Sequence, residues 1–150
     1  MAEGTVQTIQ VEAPAEVVFE VAAHVEDFPE WATGVRETEV LATNEDGTPA
    51  RARLVVDGMI RTITYVLNYT YDGIARIEWT AEPGADIASM DGRYEFYELE
   101  NGDTEVVYAL KVEPNFKVPG LLRRQAEKQI VGTALRGLRD RAEELASASE

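Results

Sequence analysis

Residues 51–79 read RARLVVDGMIRTITYVLNYTYDGIARIEW. Apolar and polar side chains alternate through the stretch, and Asp-Gly occurs at 57–58 and again at 72–73. Period-two alternation between turn dipeptides marks a hairpin, because successive side chains on a strand point to opposite faces. If Asp57-Gly58 closes a two-residue turn, Val56 faces Met59, Leu54 faces Arg61 and Ala52 faces Ile63. Directly opposed residues share a face. That face continues through Tyr65, Leu67, Tyr69 and Tyr71, while Arg51, Arg53, Thr62, Thr64 and Asn68 take the other. The alternation agrees on both strands and places Arg61 on the inner face near the turn.

At Asp72-Gly73 a two-residue turn would throw Ile77 and Trp79 outward. A three-residue loop, Tyr71-Asp72-Gly73 with a left-handed Gly73, instead sets Tyr65 against Trp79 and Leu67 against Ile77. An odd loop at Asn101-Gly102 that includes Asp103 likewise sets Phe96 against Tyr108 and Tyr94 against Leu110. With a further turn signal at Glu45-Asp46-Gly47, residues 35–113 predict a six-strand antiparallel meander.

Outside the meander, residues 4–12 predict one more strand, with Ile9 and Val11 on one face. Pro14 then opens a short helix ending near His24, in which Val17, Val18, Val21, Ala22 and Val25 recur at helical spacing. Asp27 to Trp31, DFPEW, predicts a second short helical turn, with Pro29 holding Phe28 out of the helical region. Residues 118–146 predict one long helix, with Pro119 in its first turn and a length of roughly 40 Å. Its stripe of Ile130, Val131, Ala134, Leu135, Leu138, Ala142 and Leu145 is interrupted at its N-terminal end by Arg123 and Glu127.

The chain has 150 residues, which suits one domain over 1–150 with a substantial core. No apolar run approaches a membrane span, and the first ten residues lack the pattern of a signal peptide, so a cytoplasmic location is expected. With no cysteine, disulfides, thiolate catalysis and cysteine zinc sites are excluded. Residues 1–110 carry six arginines, no lysine and 22 acidic residues, a balance of −16; residues 111–150 carry eight basic and six acidic residues, a balance of +2. An acidic body repels phosphate backbones, so nucleic acid is not an expected partner.

Three stretches resemble the START-like superfamily in its polyketide cyclase/dehydrase branch, the group that includes the pollen-allergen-like helix-grip proteins. They are VEAPAEVVFEVAAHVEDFPEWATGV (11–35), MDGRYEFYELENGDTEVVYALKV (90–112) and VPGLLRRQAEKQIVGTALRGLRDRAEE (118–144). The resemblance implies an α+β helix-grip. A curved seven-strand antiparallel sheet wraps the long C-terminal helix, two short helices lie between strands 1 and 2, and a hydrophobic cavity lies between sheet and long helix. It implies binding of a lipid, quinone or polyketide-like molecule, or cyclase/dehydrase catalysis, or a protein-interaction role. Fold alone does not choose among them.

Tyr65, Tyr69, Trp79, Tyr94, Phe96 and Tyr108 load the inward face with rings. Ordinary cores favour aliphatics, and tyrosines need partners for their hydroxyls, so this load predicts a partly polar concave space. Arg61, Arg123 and Glu127 are its candidate charges. An arginine there would hold a carboxylate or polarise a carbonyl, Glu127 would act as a base, and Arg123 and Glu127 are spaced to pair with each other. Trp31 and Leu122 are expected at the mouth the resemblance implies, with Phe28 and Trp31 packed on the sheet and on Leu121 or Leu122. A plug would bury Trp31 fully against aliphatics; a gate would leave one edge on a void. His24, the only histidine, reads as a helix-end side chain. No metal-ligand spacing, phosphate loop or catalytic triad is present, and no cofactor is expected. The expected partner is a hydrophobic small molecule, without stable membrane insertion; self-association would take the form of a homodimer.

Overall fold

The computed structural model describes residues 4–58 and 61–148. Strand β1 (Thr5–Val11) leads into helix α1 (Ala15–Ala23), a 3₁₀ turn (Val25–Asp27) and helix α2 (Phe28–Trp31). Six strands follow: β2 (Val35–Thr43), β3 (Pro49–Asp57), β4 (Thr62–Asp72), β5 (Arg76–Ala81), β6 (Ile87–Glu98) and β7 (Thr104–Pro114). Helix α3 (Gly120–Ala148) closes the chain. Every strand pair is antiparallel, and the sheet order is β1-β7-β6-β5-β4-β3-β2. This is the seven-strand helix-grip, with two short helices between the first two strands.

The faces follow the alternation, but the cross-strand partners differ from the expected ones. Leu54 pairs with Tyr65 and Val56 with Ile63, because the β3–β4 loop holds four residues rather than two. Gly58 has no positive φ, as a type I′ turn would require, and its N–H donates to the Arg61 carbonyl. The expected contact of Val56 with Met59 falls on a residue outside those described. The β4–β5 loop has three residues and Gly73 is left-handed (φ 54°), as expected. The loop is Gly73 to Ala75, however, so Tyr69 rather than Tyr65 faces Trp79, and Tyr71 rather than Leu67 faces Ile77. The β6–β7 loop is odd, and its five residues pair Tyr94 with Tyr108 and Phe96 with Val106.

Two local expectations also fail. Phe28 is helical (φ −52°, ψ −41°) despite the proline that follows it. The pre-proline restriction disfavours this conformation without forbidding it. Here the preceding 3₁₀ turn feeds directly into α2, and the Phe28 ring packs edge-on to Trp31 with centroids 5.3 Å apart. Helix α3 starts at Gly120, so Pro119 lies just before it, its carbonyl accepting from the Arg123 N–H.

Helix α3 packs on β1, β7 and α1, at one side of the sheet, rather than over its middle. Val131, Leu135, Leu138 and Ala142 fill that contact and are buried. Ile130 and Leu145 belong to the same sequence stripe yet stay half exposed. For Ile130 the reason is geometric: it faces the space left open beside β3 to β6. The edge strands are β1, capped by α3, and β2, whose pairing with β3 is broken by register shifts after Val35 and Val40. On the outer face, Arg53 reaches Glu39 on β2 and Arg51 reaches Glu82 just past β5.

Candidate functional site

A cavity of about 500 Å³ occupies the space between the sheet and the free flank of α3. Its sheet side is built from aromatic side chains on β4 to β7. Tyr69 and Trp79 face each other across β4–β5, and Tyr94 and Tyr108 across β6–β7. Trp79 is opposed by Gly92. A Cβ at residue 92 would overlap Cε2, Cζ2 and Nε1 of the indole, so the missing side chain is what lets Trp79 lie across β6. The indole thereby reaches Tyr94 at 5.4 Å and Tyr108 at 5.7 Å between centroids, and those two rings stand 4.5 Å apart. The opposite wall, on α3, sets Leu122, Ala126, Ile130 and Ala134 among Arg123, Glu127, Gln129 and Thr133.

The tyrosine hydroxyls decide the character of this space. Tyr71 donates to the Pro49 carbonyl at 2.6 Å and is thereby fixed. Tyr65, Tyr69, Tyr94 and Tyr108 have no protein partner among the described residues. Yet no buried side-chain oxygen or nitrogen among those residues is left unpaired, so these four hydroxyls lie on open cavity surface. Burial pushes the Tyr65 hydroxyl up to about 12, and it raises Tyr94 as well. Tyr69 and Tyr108 are also raised, by burial first and by neighbouring tyrosines second. All four are therefore neutral donors at physiological pH and cannot serve as bases there.

This has a consequence for stability. The folded pKa of Tyr65 lies above the unfolded value of about 10, so the folded chain holds the proton more tightly. The contribution is complete below pH 10 and is lost as pH rises towards 12. Urea unfolding measured against pH should be level up to about pH 9 and fall beyond 10. Tyr65→Phe should reduce that slope by up to about 1.4 kcal/mol per pH unit. An unchanged alkaline slope would contradict the burial of this hydroxyl.

The charged candidates are held by other groups. Glu127 is 4% exposed. Its Oε2 accepts from the Val112 N–H at 2.8 Å, and Oε1 accepts from Thr5 Oγ1 at 3.2 Å. It ties α3 to β7 and β1 and does not pair with Arg123, which forms a forked bond to Glu113 at 2.9 and 3.1 Å. Arg61 is in the β3–β4 loop rather than on a strand, at the cavity mouth. It reaches Asp86 at 3.3 Å and lies 4.8 Å above the Phe116 ring. His24 stands outside the cavity beside Glu26 and Asp27. Among the described residues no cluster of His, Asp or Glu is fit to hold a metal, and no helix is long and apolar enough to cross a membrane.

Nine of the ten predicted site residues line this one cavity: Trp31, Arg61, Tyr65, Tyr69, Trp79, Tyr94, Tyr108, Leu122 and Glu127. Phe96 does not; it packs under α1, edge-on to Phe19 at 6.1 Å. Trp31 is half-buried and lines the cavity, so it is not the fully buried plug. Its other neighbour is Gly137 in the middle of α3, rather than Leu121 or Leu122 at its start. Sequence reasoning missed Ile63, Met90, Phe116 and Val118 as lining residues. The last two sit in the connector before α3, a stretch without periodicity. Its signal was an unexplained pair of apolar residues ahead of Pro119.

Comparison with known proteins places this geometry. No curated protein matches the chain in sequence. The chain is similar to a START superfamily protein from Mycobacterium smegmatis, with a TM-score of 0.88 and 22% identity over 96% of this chain and 99% of that one. It is similar to the Zhui aromatase/cyclase from Streptomyces sp. R1128, with a TM-score of 0.81 and 19% identity over 94% and 93%. It is also similar to a STAR-related lipid transfer protein from Xanthomonas axonopodis, with a TM-score of 0.74 and 18% identity over 93% and 85%. At such identities these likenesses establish the fold. The family model described as polyketide cyclase / dehydrase and lipid transport matches residues 11–139, most of the chain, and the protein therefore belongs to that family.

Proposed function

We propose that the protein is a cytoplasmic binding protein for a hydrophobic, ring-bearing small molecule, lipid-, quinone- or polyketide-like, held between the sheet and α3. The observation that carries this reading is the mainly apolar cavity onto which four tyrosine hydroxyls open without a protein partner among the described residues. Its volume falls within the range of small-molecule sites. An apolar body would fill the space against Leu122, Ala126 and Ile130, and ligand oxygens would take the hydroxyl bonds on the sheet side. Arg61, at the mouth, would meet the ligand's polar end.

The same donors would stabilise an enolate oxygen, which an aldol-type cyclisation or a dehydration needs. Two carboxylates line the cavity among the described residues, and both are engaged, Glu127 by Val112 and Thr5 and Asp57 by Arg36 at 3.6 Å, which counts against the cyclase/dehydrase alternative. The protein-interaction alternative has no comparable observation in its favour.

Trp79 provides the readout. A naphthoquinone with an isoprenoid tail should quench its fluorescence saturably. Tyr94→Phe and Tyr108→Phe should each weaken that binding about fivefold to tenfold, the value of one hydrogen bond, while leaving binding of an unsubstituted aromatic hydrocarbon unchanged. If neither probe binds and native mass spectrometry finds no small molecule travelling with the purified protein, the reading fails.

A further inference from the structure

The chain's charge is split in space as well as in sequence. Residues 115–130, NFKVPGLLRRQAEKQI, carry four cations and one acid, a balance of +3, so the remaining 134 residues carry −17 of the total of −14. The acid in this segment, Glu127, is buried, so the segment's outer surface is cationic through Lys117, Arg124 and Lys128. Leu121 lies among these residues and is 69% exposed, the most exposed large apolar side chain described. Leu122 is next to it, half exposed, on the rim of the cavity. A hydrophobic ligand that leaves this mouth into water loses the burial that holds it.

We infer that the start of α3 docks on an anionic lipid surface. Leu121 and Leu122 enter the headgroup–acyl boundary, Lys117, Arg124 and Lys128 lie at the phosphate level, and the cavity mouth opens onto the acyl region. Two features favour a lipid surface over an acidic protein. Adjacent leucines at the start of a helix form a projecting apolar tip, which suits insertion between lipids. The apolar side of the mouth beside them, formed by Phe116, Val118 and Leu122, then joins a hydrocarbon phase, so the ligand's apolar body crosses without meeting water. Charge favours this orientation, since the other 134 residues together carry −17. The inference goes beyond the ligand reading and is tested separately from it.

Flotation of the full chain with phosphatidylcholine vesicles and with mixed phosphatidylcholine–phosphatidylglycerol vesicles tests it. Binding is expected to the mixed vesicles alone, weakening as salt shortens the screening length from about 10 Å at 0.1 M. The double variant Lys117→Glu, Lys128→Glu should lower that binding at least about tenfold. Leu121→Ser should lower it about fivefold or more. None of these three side chains lines the cavity, so naphthoquinone binding and thermal unfolding should stay as in the parent chain. Equal flotation with both vesicle types, or parent-like flotation of either variant, overturns the docking surface. Failure to float with either vesicle also overturns it and leaves an acidic protein as the occupant. A chain that floats as expected yet binds no naphthoquinone keeps the docking surface and loses the ligand reading.

Discussion

Gly92→Val should destabilise the fold by about 3 kcal/mol or more and abolish cavity binding. The new Cβ would occupy the volume of the Trp79 indole. That ring is 7% exposed, and Tyr69, Tyr94 and Tyr108 hold it on three sides. It cannot shift within the sheet, so it must swing into the void or push β5 away from β6. Overpacking of this kind typically costs about 1–3 kcal/mol, and here it adds the loss of three ring contacts. For a chain of this size each kcal/mol lowers Tm by about 2–4 °C, so a fall of about 6–12 °C is expected. Near-ultraviolet circular dichroism should show Trp79 losing its fixed environment. A variant with the parent's Tm and spectrum would mean that Gly92 does not position the indole.

Glu127→Ala should cost about 2–4 kcal/mol without any chemical role being invoked. The substitution strands the Val112 N–H and the Thr5 hydroxyl at a buried site, and bonds to a charged acceptor are worth about 1.5–3 kcal/mol. Glu127→Gln keeps one acceptor and should recover part of the loss. Urea unfolding gives the magnitude, and hydrogen exchange should find the Val112 amide newly exposed. If the alanine variant unfolds like the parent but loses a catalysed reaction, Glu127 is a chemical group and not a strut.

The alternation in 51–79 made the faces of the sheet legible, and the partners across it were not. The predicted pairs in the β3–β4 and β4–β5 hairpins are displaced by four residues and those in β6–β7 by two. Each displacement is even, so every side chain kept its face while its neighbours changed. Alternation fixes parity, and only loop length fixes register. Loop length depended on details that dipeptide signals do not carry, such as Gly58 serving a close approach to Arg61 and Ile63 rather than a left-handed turn.

The candidate site was legible for a related reason. Rings on the inward parity must line whatever lies inside, so Tyr65, Tyr69, Trp79, Tyr94 and Tyr108 were found without the register. Phe96 shares their parity but stands further along β6, under α1, where the space is filled. Depth along a strand was the missing coordinate. The fates of Glu127 and Arg123 could not be read from their spacing, because their partners, Val112, Thr5 and Glu113, come from strands distant in sequence or from the end of β7.

Strand β2 gives the molecule a particular resistance to aggregation. It is the sheet edge opposite the one that α3 packs against, touched by α2 and the 3₁₀ turn, and a neighbouring chain could add a strand there. Its ladder is shifted after Val35 and after Val40, and it carries Arg36, Glu37 and Glu39 as exposed charges. A strand arriving from another molecule meets a broken row of hydrogen-bonding groups and a charge on the way in. Sheet-to-sheet polymerisation is thus discouraged at the edge away from α3, and the protein should remain free of fibrils at concentrations where a flat, apolar edge would not.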